Sequence, residues 1–252
     1  MAQLDWTSYK DLLKKHFWFK KEELTSFFIT IVAFALIFSF GEWNKPGKEA
    51  FDFAAGLQNF LIALFISFLS VFVHHAVQRL YAIRNGYTIE QKLWWYGVII
   101  GLVIAIISQG KLWFLAATST TLTTSLKLRI GRKPYGENIG DFAQTAFWGI
   151  FSSICLAAFV KTIDTLIFSL PEAFVAKMFI FNLAFAFCNF LPIPPLDGSK
   201  IFYESRLKYI FFFSFYLAYL LLIYTLGYYS FIAALIVAGL IWLLYYYYVE
   251  SK

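Results

Sequence analysis

Charge and cysteine are both scarce in this sequence, and each scarcity excludes a class of protein. Asp, Glu, Lys and Arg make up 14% of the 252 residues, whereas hydrophobic residues make up 60%. A soluble domain carries about 25% charged residues, so a soluble globular protein is excluded. The two cysteines, Cys155 and Cys188, lie inside apolar runs, which excludes a disulfide framework and a paired-cysteine metal site. The composition is that of a polytopic membrane protein.

Signals for a nucleic-acid-binding or cofactor-binding protein are also lacking. The net charge is +6, but the basic residues are scattered between apolar runs and form no RNA-binding motif. No haem, flavin, nucleotide or quinone motif is evident. We therefore expect membrane lipid and other membrane proteins as partners, no nucleic acid, and a location in the cell (cytoplasmic) membrane.

What the sequence does contain is a series of long apolar runs, which predict an all-α polytopic membrane fold. Six runs are long enough to cross a bilayer, at residues 24–40, 57 to about 79, 142–160, 174–191, 210–226 and 230–248. Residues 94–108 are apolar but short for a span, which favours a re-entrant or interfacial segment. Residues 117–130 alternate polar and apolar with many threonines and precede a turn at 131–136, which predicts a small β-hairpin.

The same pattern divides the chain into four parts. Residues 1–23 mix aromatic residues with lysines and predict an amphipathic segment on the membrane surface. Residues 24–54 hold the first span and an outer loop, residues 55–205 the membrane core, and residues 206–252 a closing helical pair. If the 94–108 segment does not cross, 17 of the 21 basic residues fall on the side of the N-terminus. The bias of Lys and Arg toward the cytoplasm then predicts that both termini are cytoplasmic.

The most informative stretch is Asn189-Phe-Leu-Pro-Ile-Pro-Pro-Leu-Asp-Gly198, which ends the 174–191 run. Three of the six prolines fall within four positions here, so the helix must stop. Unwound backbone at membrane depth is tolerated only where it is packed in protein or lines a wet cavity. Asp197, an ionisable residue at that depth, is therefore a candidate functional residue.

A second polar cluster, His74-His-Ala-Val-Gln78, has the frame of an H-E-x-x-H helix and lies about 110 residues before the first. Together with N-x-x-P-x-x-P-L-D-G at 189–198, it resembles the site-2 protease family of intramembrane zinc metalloproteases. The resemblance covers roughly residues 55–205 and is greatest to the compact archaeal type. It implies that two histidines at i and i+4 bind zinc with the aspartate, while the glutamate between them acts as general base for a metal-bound water.

This sequence departs from that pattern at two positions. His74 matches the first histidine and Asp197 the aspartate, but His75 takes the place of the glutamate and Gln78 that of the second histidine. A neutral carboxamide is a poor zinc ligand. An imidazole does not reproduce the position or charge of the catalytic carboxylate. No other Glu or Asp is expected near that helix to replace the missing base.

The two histidines are not expected to act on one ion. Adjacent helical residues point about 100° apart, so His74 and His75 face different directions. A hydrogen-bonded pair of His74 and Asp197 without a metal is favoured over a weak zinc site that includes Gln78. For His75 we expect a backbone carbonyl or an interfacial water as partner.

The remaining candidate residues are assigned to the groove or to structure. Asn182 and Asn189 are seven residues apart and share one helix face, where we expect them to bond neighbouring helices or the unwound segment. Pro192, Pro195 and Gly198 shape that segment.

The predicted function is that of a catalytically inactive site-2-protease-like membrane protein. It would bind transmembrane segments or partner membrane proteins as a chaperone, regulator or complex subunit, and we expect it to need no cofactor. The alternative is an active intramembrane zinc metalloprotease with an altered ligand set. A third reading is a proton-linked transporter or lipid-binding subunit that uses His74, His75 and Asp197 as a polar cluster.

Overall fold

The computed structural model describes residues 6–43, 52–124, 138–167, 169–227 and 230–251. Within these ranges the chain forms α-helices α1 (Trp6–His16), α2 (Lys21–Ser39), α3 (Phe53–Arg84), α4 (Trp95–Ile107), α5 (Ile139–Leu166), α6 (Glu172–Phe190), α7 (Asp197–Glu204), α8 (Arg206–Leu226) and α9 (Phe231–Tyr245). Two strands, β1 (Tyr87–Leu93) and β2 (Thr118–Thr124), flank α4 in the sequence. A 3-10 turn, Phe40–Glu42, extends α2, and a π-helical turn, Tyr246–Glu250, extends α9.

Six of these helices, α2, α3, α5, α6, α8 and α9, are long and apolar enough to cross a membrane. Each corresponds to one predicted run, so the predicted polytopic membrane fold is confirmed. The helices α3 and α5 have 32 and 28 residues and extend beyond the predicted runs. Polar caps define where they begin, because Asp52 accepts hydrogen bonds from the first backbone N–H groups of α3 and Asn138 does the same for α5.

The N-terminal helix α1 is not part of this set. It lies within the predicted amphipathic segment 1–23, and a short non-helical stretch separates it from α2. The Tyr9 hydroxyl donates to the Leu80 carbonyl oxygen at 3.3 Å, which holds α1 against α3. Its place on the membrane surface and the cytoplasmic side of both termini stay predictions.

The short helix α4 and the arm that follows it enter and leave the fold at the same end, as predicted for a re-entrant segment. It has 13 residues, and the chain turns back directly after it, at 108–110. The Trp94 backbone N–H donates to the Ala117 carbonyl oxygen at 2.8 Å, so the start of α4 and the end of the returning arm are adjacent. The two arms pack closely, since a Cβ added to Gly97 would lie 1.9 Å from the Ala116 carbonyl oxygen. The chain therefore leaves this segment at the end of the bundle where it entered.

The two strands form one antiparallel sheet at the base of this re-entrant segment. Leu93 lies opposite Thr118, next to α4, and the pairing continues to the far end of both strands. The strand β2 falls within the strand predicted for 117–130, whereas the turn predicted at 131–136 lies outside the described residues. We call the end of the bundle that carries this sheet the sheet end.

The partner strand β1 was not predicted, and it precedes α4 instead of following the predicted turn. Its side chains alternate, with Tyr87, Ile89 and Gln91 buried. Seven residues in which a glutamine takes one buried position are too few and too polar for a clear strand signal. The strand exists because the re-entrant segment brings its two ends together.

A buried ion pair joins three elements at the sheet end. Glu23 on α2 and Arg79 on α3 are 4% and 3% exposed, and Arg79 Nη2 lies 2.7 Å from Glu23 Oε1. The same carboxylate accepts hydrogen bonds from the backbone N–H groups of Lys20, at 2.7 Å, and of Gln91 on β1, at 3.1 Å. The guanidinium lies over the Phe19 ring, 4.3 Å from its centroid. A buried ion pair is tolerated where further hydrogen bonds support it, and this one fixes α2, α3 and β1 together.

A second polar cluster holds the opposite end of the bundle. Lys177 on α6 donates to Glu42 Oε2 at 2.7 Å and to Asn59 Oδ1 at 3.0 Å. These contacts join the end of α2, the start of α3 and the start of α6. Polar contacts therefore join α2 and α3 at both ends of the bundle and fix their relative positions along its axis.

We expect Arg79→Met to destabilise the protein strongly, because it leaves the Glu23 carboxylate buried without its counter-charge. Removing one partner of a buried ion pair costs about 3–5 kcal/mol. The matched control is Lys20→Met, which removes an exposed pair with Glu90 that contributes at most about 1 kcal/mol. Unfolding by SDS in mixed micelles, followed by circular dichroism, measures both. Equal effects of the two substitutions would contradict the anchoring role.

Candidate functional site

The turn between α6 and α7 places Asp197. The helix α6 ends at Phe190 because Pro192 and Pro195 follow and cannot continue it. The helix α7 begins at Asp197, and a Cβ added to Gly198 would lie 2.0 Å from the Phe190 carbonyl oxygen. Only glycine fits so close an approach, which presses the first turn of α7 against the end of α6. Pro192 and Pro195 thus lie in the unwound segment, as expected, whereas Gly198 lies in the first turn of α7.

The Asp197 carboxylate is the centre of the candidate site, and it accepts hydrogen bonds from four side chains. On Oδ2, His74 Nε2 lies at 3.1 Å and Gln78 Nε2 at 2.6 Å. On Oδ1, Thr120 Oγ1 lies at 3.1 Å and Lys200 Nζ at 2.7 Å. A carboxylate has about four acceptor positions, so these donors use them all. The helices α3 and α7 and the strand β2 meet at this one group.

Burial and neighbouring charge act in opposite directions on this carboxylate. Asp197 is 5% exposed, and burial by itself would raise the pKa of its side chain. The positive charge of Lys200 and the hydrogen bonds from His74 and Lys200 outweigh burial, so the pKa of Asp197 lies well below its usual range. The site therefore contains an ion pair between an ionised carboxylate and an ammonium group.

His74 is held on several sides of its ring. Its Nε2 faces Asp197, and its Nδ1 lies 3.1 Å from the Ser153 hydroxyl on α5. The ring packs edge-on against Phe185 on α6, with 5.0 Å between the centroids. These contacts with α5 and α6 fix the orientation of the imidazole toward the carboxylate.

His75 points away from Asp197, as expected for the neighbouring position on a helix. Its ring is perpendicular to that of His74 and faces Phe27 on α2, with 6.4 Å between the centroids. It is 1% exposed, and its Nδ1 lies 3.3 Å from Gln78 Oε1. The expectation of a backbone or interfacial-water partner was therefore wrong for this nitrogen, because α2 covers this face of α3.

Gln78 reaches the carboxylate because α5 has a glycine beside it. A Cβ added to Gly149 would lie 2.4 Å from Gln78 Nε2 and 2.7 Å from its Cγ. The amide is oriented at both ends, with its nitrogen toward Asp197 and its oxygen toward His75. The second-histidine position thus holds a side chain that donates to Asp197.

The two asparagines are used differently from what their spacing suggested. The Asn182 amide nitrogen donates to the Met178 carbonyl oxygen at 2.8 Å, and that of Asn189 to the Phe185 carbonyl oxygen at 2.9 Å. Both bonds stay within α6, so these nitrogens do not form the expected bonds to neighbouring helices or to the unwound segment. The carbonyl four residues earlier is within reach of such a side chain without any distortion of the helix.

Four residues of the site were not predicted: Thr120, Gly149, Ser153 and Lys200. Lys200 had a usable signal, because it lies three residues after Asp197 at the start of a short helix and so shares its face. The others come from β2 and α5, and their spacing from the H-x-x-x-Q frame carries no information on contact. They enter the site only through the packing of α3 against α5 and of β2 over α7.

One further expectation is corrected by the fold. No Glu or Asp was expected near the helix that carries His74, yet Glu23 of α2 contacts it through Arg79. This carboxylate does not replace the missing base, because Arg79 and two backbone N–H groups engage it at the sheet end.

The residues around Asp197 do not form a ligand set for zinc. A catalytic zinc takes three protein ligands with imidazole, thiolate or carboxylate donors and keeps one position open. Only His74 and Asp197 are of these types here, since Gln78 presents its amide nitrogen and Lys200 brings a positive charge to the carboxylate. Across the described ranges, no group of three or more His, Cys, Asp or Glu is arranged to hold a metal ion.

We expect Gly149→Ala to destabilise the protein, because the added methyl group forces Gln78 out of its hydrogen bond with Asp197. Overpacking of this kind costs about 1–3 kcal/mol. The control is Gly239→Ala in α9, where an added Cβ meets nothing within 4 Å and the helix gains up to about 1 kcal/mol. Unfolding in SDS compares the two variants, and a neutral Gly149→Ala would show that Gln78 is not held by this packing.

Comparison with known proteins gives one clear relationship. None of the curated proteins and none of the solved structures compared with the chain matches it. The sequence profile of peptidase family M50 matches residues 10–208, which run from α1 to the first turn of α8 and include every side chain that contacts Asp197. The match covers well over half of the chain, and the chain is therefore a multi-pass membrane protein that belongs to peptidase family M50, the site-2 protease family.

Proposed function

We propose that this protein is a catalytically inactive member of family M50 that binds transmembrane segments of other membrane proteins without cutting them. The observation that carries the proposal is the saturation of Asp197 by four donors, one of them an ammonium group. A hydrolytic zinc needs this carboxylate as a ligand together with two further ligands and an open position. A metal ion beside Asp197 would need lone pairs from its other ligands. The side chains that contact Asp197 instead direct hydrogen-bond donors toward it.

The general base is the second element that supports inactivity. The position between His74 and Gln78 that would carry the base holds His75, whose ring faces α2 instead of Asp197. A general base must lie within hydrogen-bond reach of the water or group that it deprotonates. Glu23, the carboxylate that contacts α3 through Arg79, is committed to that ion pair. Neither group is placed to activate a water beside Asp197.

The binding half of the proposal rests on the strand β2. In the described part of the chain β2 pairs only with β1, so its second edge has no strand partner there. Thr120, in the middle of β2, contacts Asp197, so a segment added along this edge would lie beside the site. An unwound transmembrane segment can add to such an edge through backbone hydrogen bonds. This mode of binding needs no metal and no base.

We expect the purified wild-type protein to hold far less than about one zinc per chain after mild chelation and re-dialysis. His74→Ala and Asp197→Ala are measured beside it by mass spectrometry of the metal content, and all three are expected to give the same low value. About one zinc per chain, lost in both variants, would reject the inactive assignment. It would favour the alternative of a protease with an altered ligand set, and a cleavage assay would follow.

Binding at the β2 edge is tested by photo-crosslinking in proteoliposomes. A photo-reactive phenylalanine analogue replaces Ser119 on β2 or, as matched control, Lys92, which lies directly opposite it on β1. The probe is a synthetic transmembrane peptide with a Gly-Pro pair at its centre. We expect several-fold more adduct from position 119, because the outer edge of β1 is engaged by Glu23 through Gln91. Equal or absent labelling at both positions would reject binding at this edge.

A further inference from the structure

Lys200 is the charged donor at Asp197, and it was not among the residues predicted from the motif. It lies one helical turn after Asp197 on α7, and its side chain is 17% exposed. Its Nζ is 2.7 Å from Asp197 Oδ1 and also contacts the Thr120 hydroxyl on β2. The ammonium therefore contacts both α7 and β2.

The buried carboxylate needs a positive charge close to it. Asp197 is 5% exposed, and a carboxylate taken out of water without a counter-charge is strongly disfavoured. Gln78 and Thr120 bring hydrogen-bond donors that carry no charge. Lys200 brings an ammonium group to 2.7 Å from Asp197 Oδ1.

The contacts also decide against a catalytic use of the amine. A lysine beside a hydroxyl, such as Lys200 beside Thr120, can serve as a general base only when it is neutral. Here the side-chain nitrogen lies 2.7 Å from the Asp197 carboxylate as one partner of an ion pair. The Thr120 hydroxyl donates its own hydrogen to Asp197 Oδ1, so its proton is directed at the carboxylate instead of the amine.

We propose that the Lys200 ammonium supplies the positive charge that a metal ion would otherwise bring to Asp197, and that it clamps β2 onto α7. The lysine is thus a positioning residue that keeps the site closed and the β2 edge in place. This inference rests on the metal-free state proposed above. It adds that the charge is built into the chain, so that restoring the second histidine alone does not restore a metal site.

Zinc affinity of four proteins tests the first part: wild type, Gln78→His, Lys200→Met and the double variant Gln78→His/Lys200→Met. The double variant would present His74, the new imidazole and Asp197 without an opposing charge. We expect it to bind about one zinc per chain and Gln78→His to bind on the order of 100-fold more weakly, because a dication must displace a fixed ammonium. Cobalt absorption spectra of the same proteins report whether nitrogen and oxygen ligands are engaged.

Stability tests the clamp. We expect Lys200→Met to lower the melting temperature by about 10 °C, because it leaves a buried unpaired carboxylate. Adding Asp197→Asn to it is expected to recover most of the loss, since the second substitution removes the unpaired charge. The matched control is Lys208→Met, which removes a pair with Glu204 whose lysine is 55% exposed, and it is expected to change the melting temperature little.

The outcomes separate the two proposals. Zinc affinity of Gln78→His equal to that of the double variant would overturn the role of Lys200 as the built-in charge. A melting temperature of Lys200→Met no lower than that of Lys208→Met would overturn the clamp. Stoichiometric zinc in the wild type would instead overturn the proposed function.

Discussion

A carboxylate that is buried among membrane-spanning helices has to be neutralised, and two such groups organise this protein. Glu23 is paired with Arg79, and Asp197 is paired with Lys200. An unpaired buried charge costs several kcal/mol, so each pair fixes the elements that contribute to it. The first joins α2, α3 and β1, and the second joins α3, α7 and β2. The sheet is held from both sides by these ion pairs.

Membership of a peptidase family suggests a zinc site, whereas the residues around Asp197 do not form a ligand set for zinc. The chain has the polytopic fold of family M50, with a helix that carries His74 and a turn that carries Asp197. Within that frame four side chains donate hydrogen bonds to Asp197, and one of them is the Lys200 ammonium group. A fold can keep its architecture while its site changes function, which is why the proposed inactivity rests on the contacts of Asp197 and not on family membership.

Hydropathy predicted most of the fold because a membrane span is a local property. The six spans and the returning segment at 94–108 follow from the length of each apolar run, which needs no knowledge of neighbours. The strand β1 was missed for the converse reason. Its residues do not alternate clearly by themselves, and the strand forms because the re-entrant segment brings it beside β2.

The sequence by itself determined the membrane class, the six helices and the end of α6 at its prolines. Only the tertiary structure decided that Thr120, Ser153 and Lys200 gather around His74 and Asp197, and that Glu23 pairs with Arg79. The physical reason is the range of the interactions. Helix formation and membrane insertion depend on neighbours along the chain, whereas the pairing of a buried charge depends on which helices pack together.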